Sequence, residues 1–347
     1  MTDQTCPVPT TPPLLAHAES PVPARCPLFL TQDWFDILEQ HGMPSGTTRN
    51  DALIEHALRL PLTQSRGSFH ALASYYSADY GMQDGVVVSM TQALQLADWF
   101  RSQGARHIEL RPMRDDAPLL RMLMDALRSH GYLSDSFHVS TNWYLPCSGM
   151  SWAGYLASRP SRLANTLRRC RKRLEGEAGF RLRIASHSDE TEQMLRDYAV
   201  VYAQSWKESE PYPDFIPQLC RMCARHGWLR LGVLYLHGEP AAAQIWFVKD
   251  GTASIYKLAY DSRFAKLGVG TVLTAALTEH VLEVDQVSEI DFLTGDDAYK
   301  AEWMSHSRTL VGLLAFNTRS PSGLLQAALH FGRRWLRNFK SGMAKTR

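Results

Sequence analysis

The stretch Ala253-Ser-Ile-Tyr-Lys-Leu-Ala-Tyr260, followed by Lys266-Leu-Gly-Val-Gly270 and by the apolar run from Thr271 to about Glu283, decides how the chain folds. The first part reads as a strand, apolar except at Lys257, and the last as a helix. Between them Gly268 and Gly270 remove Cβ obstruction where the helix begins, so its first backbone N–H groups stand free. A strand, a glycine loop and an open helix N-terminus together make a cradle for a pyrophosphate. Leu258, Tyr260, Lys266, Gly268, Val269, Gly270 and Thr271 are the candidate residues for it.

Working outward, strands and helices alternate with clear stops. Upstream, a basic helix runs from Ser161 to about Ala178, ended by Gly179, and 180–185 is a strand. Ser188 caps a helix to Trp206, and the loop Glu210-Pro-Tyr-Pro213 leads into a helix ending at Gly227. Strands at 228–236 and 241–248 precede the quoted one, with hairpin chemistry in the turns His237-Gly-Glu-Pro240 and Lys249-Asp-Gly251. Downstream come a strand at 290–293, a helix around 298–304 and a strand at 310–316. The earlier part, 28–145, is harder to read. Thr31 caps a helix to Gln40, Thr91 caps another to Ser102, 107–111 is a strand, and Leu119, Leu120, Leu123, Met124 and Leu127 mark an amphipathic helix closed by Gly131. The aromatic group Phe69, Tyr75, Tyr76 and Tyr80 reads as core and sheet surface rather than as a stacking platform.

The 347 residues suffice for two domains, and 45% hydrophobic content fills their cores. Lys plus Arg (37) nearly balance Asp plus Glu (35), which argues against a dedicated nucleic-acid binder. The balance is a cancellation. Residues 1–302 carry 29 basic and 35 acidic side chains, whereas from Trp303 onward there are eight basic residues and no acidic one. Seven prolines fall in residues 1–27, which read as a flexible leader without a secretory pattern. No apolar run is long enough for a membrane span, and six scattered cysteines suggest a reducing, cytoplasmic setting. Cys220, Cys223 and His226 fan too widely over a helix for a zinc site, and no second ligand pair is spaced for one, so no metal is expected. From Ser322 to Lys340, Leu325, Leu329, Leu336 and Phe339 share one side of a basic amphipathic helix. It either lies on an anionic membrane surface or docks on the domain with its charges in water, and docking is the expectation.

The order strand, two helices, three antiparallel strands, glycine loop, helix, strand, helix, strand resembles the GNAT N-acyltransferases. Three stretches bring residues 150–318 closer to the subgroup related to the CelD proteins of cellulose biosynthesis, which in turn resemble the FemAB transferases. They are the basic helix Arg162 to Arg173, the strand Glu239-Pro-Ala-Ala-Ala-Gln-Ile-Trp246, and Ile290-Asp-Phe-Leu-Thr-Gly-Asp-Asp-Ala-Tyr-Lys-Ala-Glu-Trp303. The resemblance implies an α/β fold, a mixed and largely antiparallel sheet flanked by helices, in two tandem GNAT-like units. These would be a leader (1–27), a degenerate N-terminal unit (28–145), an acyltransferase domain (146–318) and a basic C-terminal helix and tail (319–347). One departure from the family pattern is Ala265, where Gln or Arg usually contacts phosphate.

By the same resemblance the donor is acetyl-CoA or another acyl-CoA, or an acyl carrier protein. The acceptor is an amine or sugar-amine, a small molecule or a glycan precursor of envelope or exopolysaccharide synthesis. Acyl transfer needs a proton for the departing thiolate and a route for the amine's proton. Tyr299 is the candidate acid. Asp291, between Ile290 and Phe292, is the candidate base or amine-orienting group, and Lys300 a candidate for neutralising a phosphate or the oxyanion. The alternative is a core tyrosine bonded to Asp291 beside a solvated Lys300. Trp206, Lys207 and Glu208, from the loop between two helices, either grip the acceptor or form a solvated loop. Gln244, Trp246 and Lys257 either line the cleft or point elsewhere, and Asp296 completes the acceptor set. Two other functions fit the sequence: an aminoacyl-tRNA-dependent transferase, and a non-catalytic scaffold in a polysaccharide-synthesis complex.

Overall fold

The quoted stretch folds as its pattern requires. In the computed structural model, which describes residues 26–344, it forms a strand at Thr252–Tyr260, a short 3-10 turn at Ser262–Leu267, and a helix at Val269–Glu283. All but the last two residues of the expected leader lie outside the described residues.

The first half of the chain supplies α1 (Gln32–His41), β1 (Ala52–Ile54), β2 (Leu58–Leu60), β3 (Leu62–Ser65), β4 (Ser68–Ala71), α2 (Met90–Ser102), β5 (His107–Arg114), α3 (Pro118–Ser129) and β6 (Tyr132–Pro146). The second half opens with α4 (Trp152–Ser158), α5 (Ser161–Glu175), β7 (Arg181–Ala185), α6 (Ser188–Ala203), α7 (Phe215–Arg225) and β8 (Leu229–Leu236). It continues with β9 (Glu239–Lys249), β10 (Thr252–Tyr260), α8 (Val269–Glu283), β11 (Glu289–Thr294), α9 (Lys300–Trp303), β12 (His306–Asn317) and α10 (Pro321–Ala344).

Ten strands form one sheet in the order β3-β4-β5-β12-β6-β11-β10-β9-β8-β7. The two parallel pairs are β4 with β5 and β10 with β11; the other neighbours are antiparallel. The run β3-β4-α2-β5-α3-β6 therefore repeats as β9-β10-α8-β11-α9-β12. The last strand of each run has crossed over: β12 lies beside β5, and β6 lies beside β11. A boundary near residue 145 thus separates two repeats in sequence but not two sheets. Helices flank the sheet, and the fold class expected from the sequence is the one observed.

β6 was not anticipated. Ser134, Asp135, Ser136, His138, Ser140, Thr141 and Asn142 make it polar, yet it pairs with β12 over most of its length. Capping chemistry sets the helix starts. Thr31 accepts from the Trp34 N–H (3.2 Å) as expected. α2 is capped by Ser89, not Thr91: Ser89 Oγ accepts from the Gln92 N–H (3.3 Å) and Gln92 Oε1 accepts from the Ser89 N–H (2.9 Å), a reciprocal box that closes the helix end. α5 stops at Glu175 because Gly176, not Gly179, takes its C-cap.

α10 docks, but not by the row of leucines. Ala327 is buried, Phe331 meets Phe316, His330 Nε2 lies 2.8 Å from Asp135 Oδ2, and Arg334 also reaches Asp135. Leu325 and Leu329 face away from the domain.

Candidate active site

β10 and β11 pair only through Thr252↔Glu289, Ala253↔Ile290 and Ser254↔Asp291. Beyond that level both are irregular. The register of β10 against β9 shifts between Ile255 and Lys257, and that of β11 against β6 shifts between Asp291 and Thr294, where Leu293 has φ 56°. A bulge bends its strand and increases its twist. The two strands part, and a cleft of about 590 Å³ opens with 257–260 on one wall and 292–294 on the other.

At one end the cleft meets α8. Its N-cap is Gly268, at φ 75°, and no side chain caps the helix. A Cβ on Gly268 would lie 2.6 Å from Cys170 Sγ, and one on Gly270 would lie 3.0 Å from the Tyr260 ring, so both glycines are required by close approach. The basic helix α5 supports this loop. Its apolar residues Leu163, Leu167, Cys170 and Leu174 are buried, and Arg173 donates to the Lys266 carbonyl (2.7 Å). Gln244 holds the first turn of α8, donating to the Gly270 carbonyl (3.1 Å) and to Thr274 Oγ1 (2.7 Å) while accepting from Trp246 Nε1 (2.9 Å).

Of the residues anticipated for the donor, Leu258, Tyr260, Gly268, Val269, Gly270 and Thr271 line the cleft. Lys266 does not: it is exposed, and only its backbone takes part, through Arg173. Tyr299, Lys300, Trp206, Lys207, Gln244 and Lys257 also line it. Trp246 is fully buried core, Glu208 is exposed and accepts from Tyr202 Oη through its backbone, and Asp296 turns away to accept from Trp143 Nε1 (3.0 Å); none of the three lines the cleft. Its neighbour Asp297 does.

Asp291 is the main correction. Alternation along β11 turns it from the cleft toward a second cavity of about 140 Å³, lined also by Arg114, Asn142, Glu289 and Arg308. Its carboxylate accepts from Arg308 Nη2 (2.6 Å), from Asn142 Nδ2 and from the Leu293 N–H (2.6 Å). Asn142 also donates to the Leu293 carbonyl (2.8 Å). Asp291 is therefore a positioning residue that fixes the bulge opening the cleft, not a base within it.

Lys300 is likewise spoken for. It is buried, and its ammonium donates to the carbonyls of Phe292 (3.4 Å), Thr294 (2.7 Å) and Gly295 (3.3 Å), with Asp297 at 3.6 Å. An ammonium has three protons, so these carbonyls engage them and the turn after β11 is pinned. Tyr299 occupies the N-cap position of the one-turn helix α9, not its body, with its ring edge-on to Phe292 (5.8 Å). Burial, reinforced by Asp297, pushes its hydroxyl up to about 12, so it remains a proton donor at neutral pH.

The cleft is built partly by the first half of the chain. The loop between β4 and α2 brings Tyr75, Tyr76, Ser77 and Ala78 into the cleft. Lys257 Nζ lies over the rings of Tyr75 (4.7 Å) and Tyr76 (5.1 Å) and bonds Glu210 Oε1 (2.9 Å). Trp206 packs on Tyr260 (4.5 Å). Tyr76 and Tyr80 are buried as expected, whereas Tyr75 is exposed at the cleft. The aromatic cluster in the sequence was the available signal for these two tyrosines, but nothing in its spacing separates wall from core. Lys207 differs from the other two lysines. Among the described residues no carboxylate lies within ion-pair distance of it, and burial, then the Lys257 charge, lower its ammonium to about 8.

Parted strands, a glycine-capped helix end and a tyrosine on the facing wall define the class: a GNAT-type acyltransferase fold. Residues 161–301 match the family model described as an acetyltransferase (GNAT) domain. Three solved structures share the architecture over nearly the whole chain. FemX is 9% identical, with 87% of this chain and 94% of FemX covered at a TM-score of 0.59. L-PGS from Bacillus licheniformis is 12% identical (86% and 94% covered, TM-score 0.52). The C-terminal domain of a proposed lysylphosphatidylglycerol synthetase from Agrobacterium fabrum is 12% identical (80% and 86% covered, TM-score 0.52). At such identities the likeness shows the fold alone. No curated protein matches the sequence.

Proposed function

We propose that the chain is an N-acyltransferase that moves an acyl group from an acyl-CoA, or from an acyl carrier protein, directly to an amine or sugar-amine. The observation that carries this reading is the cleft between β10 and β11 ending on the uncapped N-terminus of α8. An extended thioester arm fits between parted strands, and a pyrophosphate fits the free amides at their end. The residues present suit coenzyme A: Val269, Gly270 and Thr271 would hold the pyrophosphate by their amides, while 257–260 would flank the arm.

In this reading the amine attacks the thioester carbonyl, the C–N bond forms and the C–S bond breaks. Tyr299 gives its proton to the leaving thiolate. The amine's proton passes to Lys207, whose lowered affinity for protons suits a base working near neutrality. Asp291 and Lys300 hold the walls. The acceptor would be a small amine or glycan precursor, as in polysaccharide synthesis, seated among Tyr75, Trp206 and Lys257.

Thiol release from acetyl-CoA, longer acyl-CoAs and acyl carrier protein, measured with glucosamine and simple amines, tests the proposal. Turnover that falls strongly in Tyr299→Phe with folding intact supports it and eliminates a scaffold role. Indifference to every thioester, with transfer from aminoacyl-tRNA instead, replaces the donor and favours the aminoacyl-transferring alternative.

A further inference from the structure

α10 is fixed to the domain by one face and presents a second face that the domain does not use. On the docked side lie Ala327, His330, Phe331 and Arg334. On the opposite side Leu325 is 62% exposed and Leu329 51%, although leucines at helical spacing ordinarily mark the buried face. Arg333 borders the leucine row and is exposed. From Trp303 to the C-terminus the chain has eight basic residues and no acidic one, against a net excess of acid before it.

We infer that the outward face of α10 lies on an anionic lipid surface, with Leu325 and Leu329 in the headgroup boundary and Arg333 on lipid phosphates. Three observations agree on this occupant. The apolar row is outward and a single residue wide, which suits shallow burial in an interface. Its border is cationic and the helix carries no carboxylate, which suits an anionic surface. Finally, no helix among the described residues is long and apolar enough to cross a membrane, so contact would be along the surface.

Flotation of the full chain with vesicles of phosphatidylcholine alone, and of phosphatidylcholine mixed with phosphatidylglycerol, tests the inference. Binding should require the anionic lipid, weaken at high salt, and fall about tenfold or more in Leu325→Asp/Leu329→Asp. Arg333→Gln should weaken it less. All substituted residues are exposed, so circular dichroism and melting should match the wild type. Equal binding to neutral vesicles, unchanged binding of the double variant, or light scattering showing a dimer that the double variant dissolves would overturn it. The test is independent of any donor or acceptor.

Discussion

The two strand–turn–helix repeats place the same elements in the same order and differ where the helix begins. After β10 the chain turns tightly into α8, whose N-cap is Gly268 with no side chain to close it. After β4 it wanders through residues 72–89, and α2 is closed by the Ser89–Gln92 box. One helix end leaves its amides without a side-chain cap and the other is closed by its own side chains. In the proposed function this difference is why only one repeat would hold the donor. The other repeat also contributes, because its long loop delivers Tyr75 and Tyr76 to its partner's cleft.

The sharpest way to break this comparison is to close the open end. Gly268→Val puts a branched side chain at φ 75° and into Cys170, and should weaken CoA binding about a hundredfold or more, read by calorimetry. Next in size, Tyr299→Phe should lower kcat by about a hundredfold and leave KM for the donor unchanged. Lys207→Gln should cost about tenfold in kcat/KM near pH 8 and remove a limb of the pH profile. Lys207 is protonated below about 8 and neutral above it, so the wild-type rate should rise with pH through that value. Hydroxylamine as acceptor, already unprotonated there, keeps the limb assignable to the enzyme.

Asp291→Asn probes stability and cleft shape together. It removes one of the two carboxylates on Arg308, which keeps Glu289, and should lower unfolding free energy by about 2 kcal/mol, measured by urea denaturation. The pH limb of Lys207 should survive in it, which a base at Asp291 would not allow. The smallest effect belongs to the closed helix: Ser89→Ala should cost about 1 kcal/mol of stability and leave CoA affinity untouched.

What the sequence revealed follows the same division. β8, β9 and β10 are long and apolar, and glycine and proline punctuate them, so their order was legible and with it the glycine loop. The first repeat was not, because β3 and β4 are four residues each and β6 carries a polar run through its middle. Strand exchange between repeats leaves no local trace. Within the site, the placement of Gly268, Gly270 and Tyr299 at the cleft was legible because it depends on neighbours in sequence. Asp291 was misjudged because Arg308 and Asn142, which turn it from base into support, come from β12 and β6. Tyr75 arrives from the other repeat, and only the fold sets it over Lys257.

Amide hydrogen exchange with and without CoA addresses the contrast between the two helix ends most directly. The account predicts slowed exchange at Val269, Gly270 and Thr271 on adding CoA, and no change at Met90, Thr91 and Gln92. Unchanged exchange at 269–271, or equal protection at both helix ends, would contradict it.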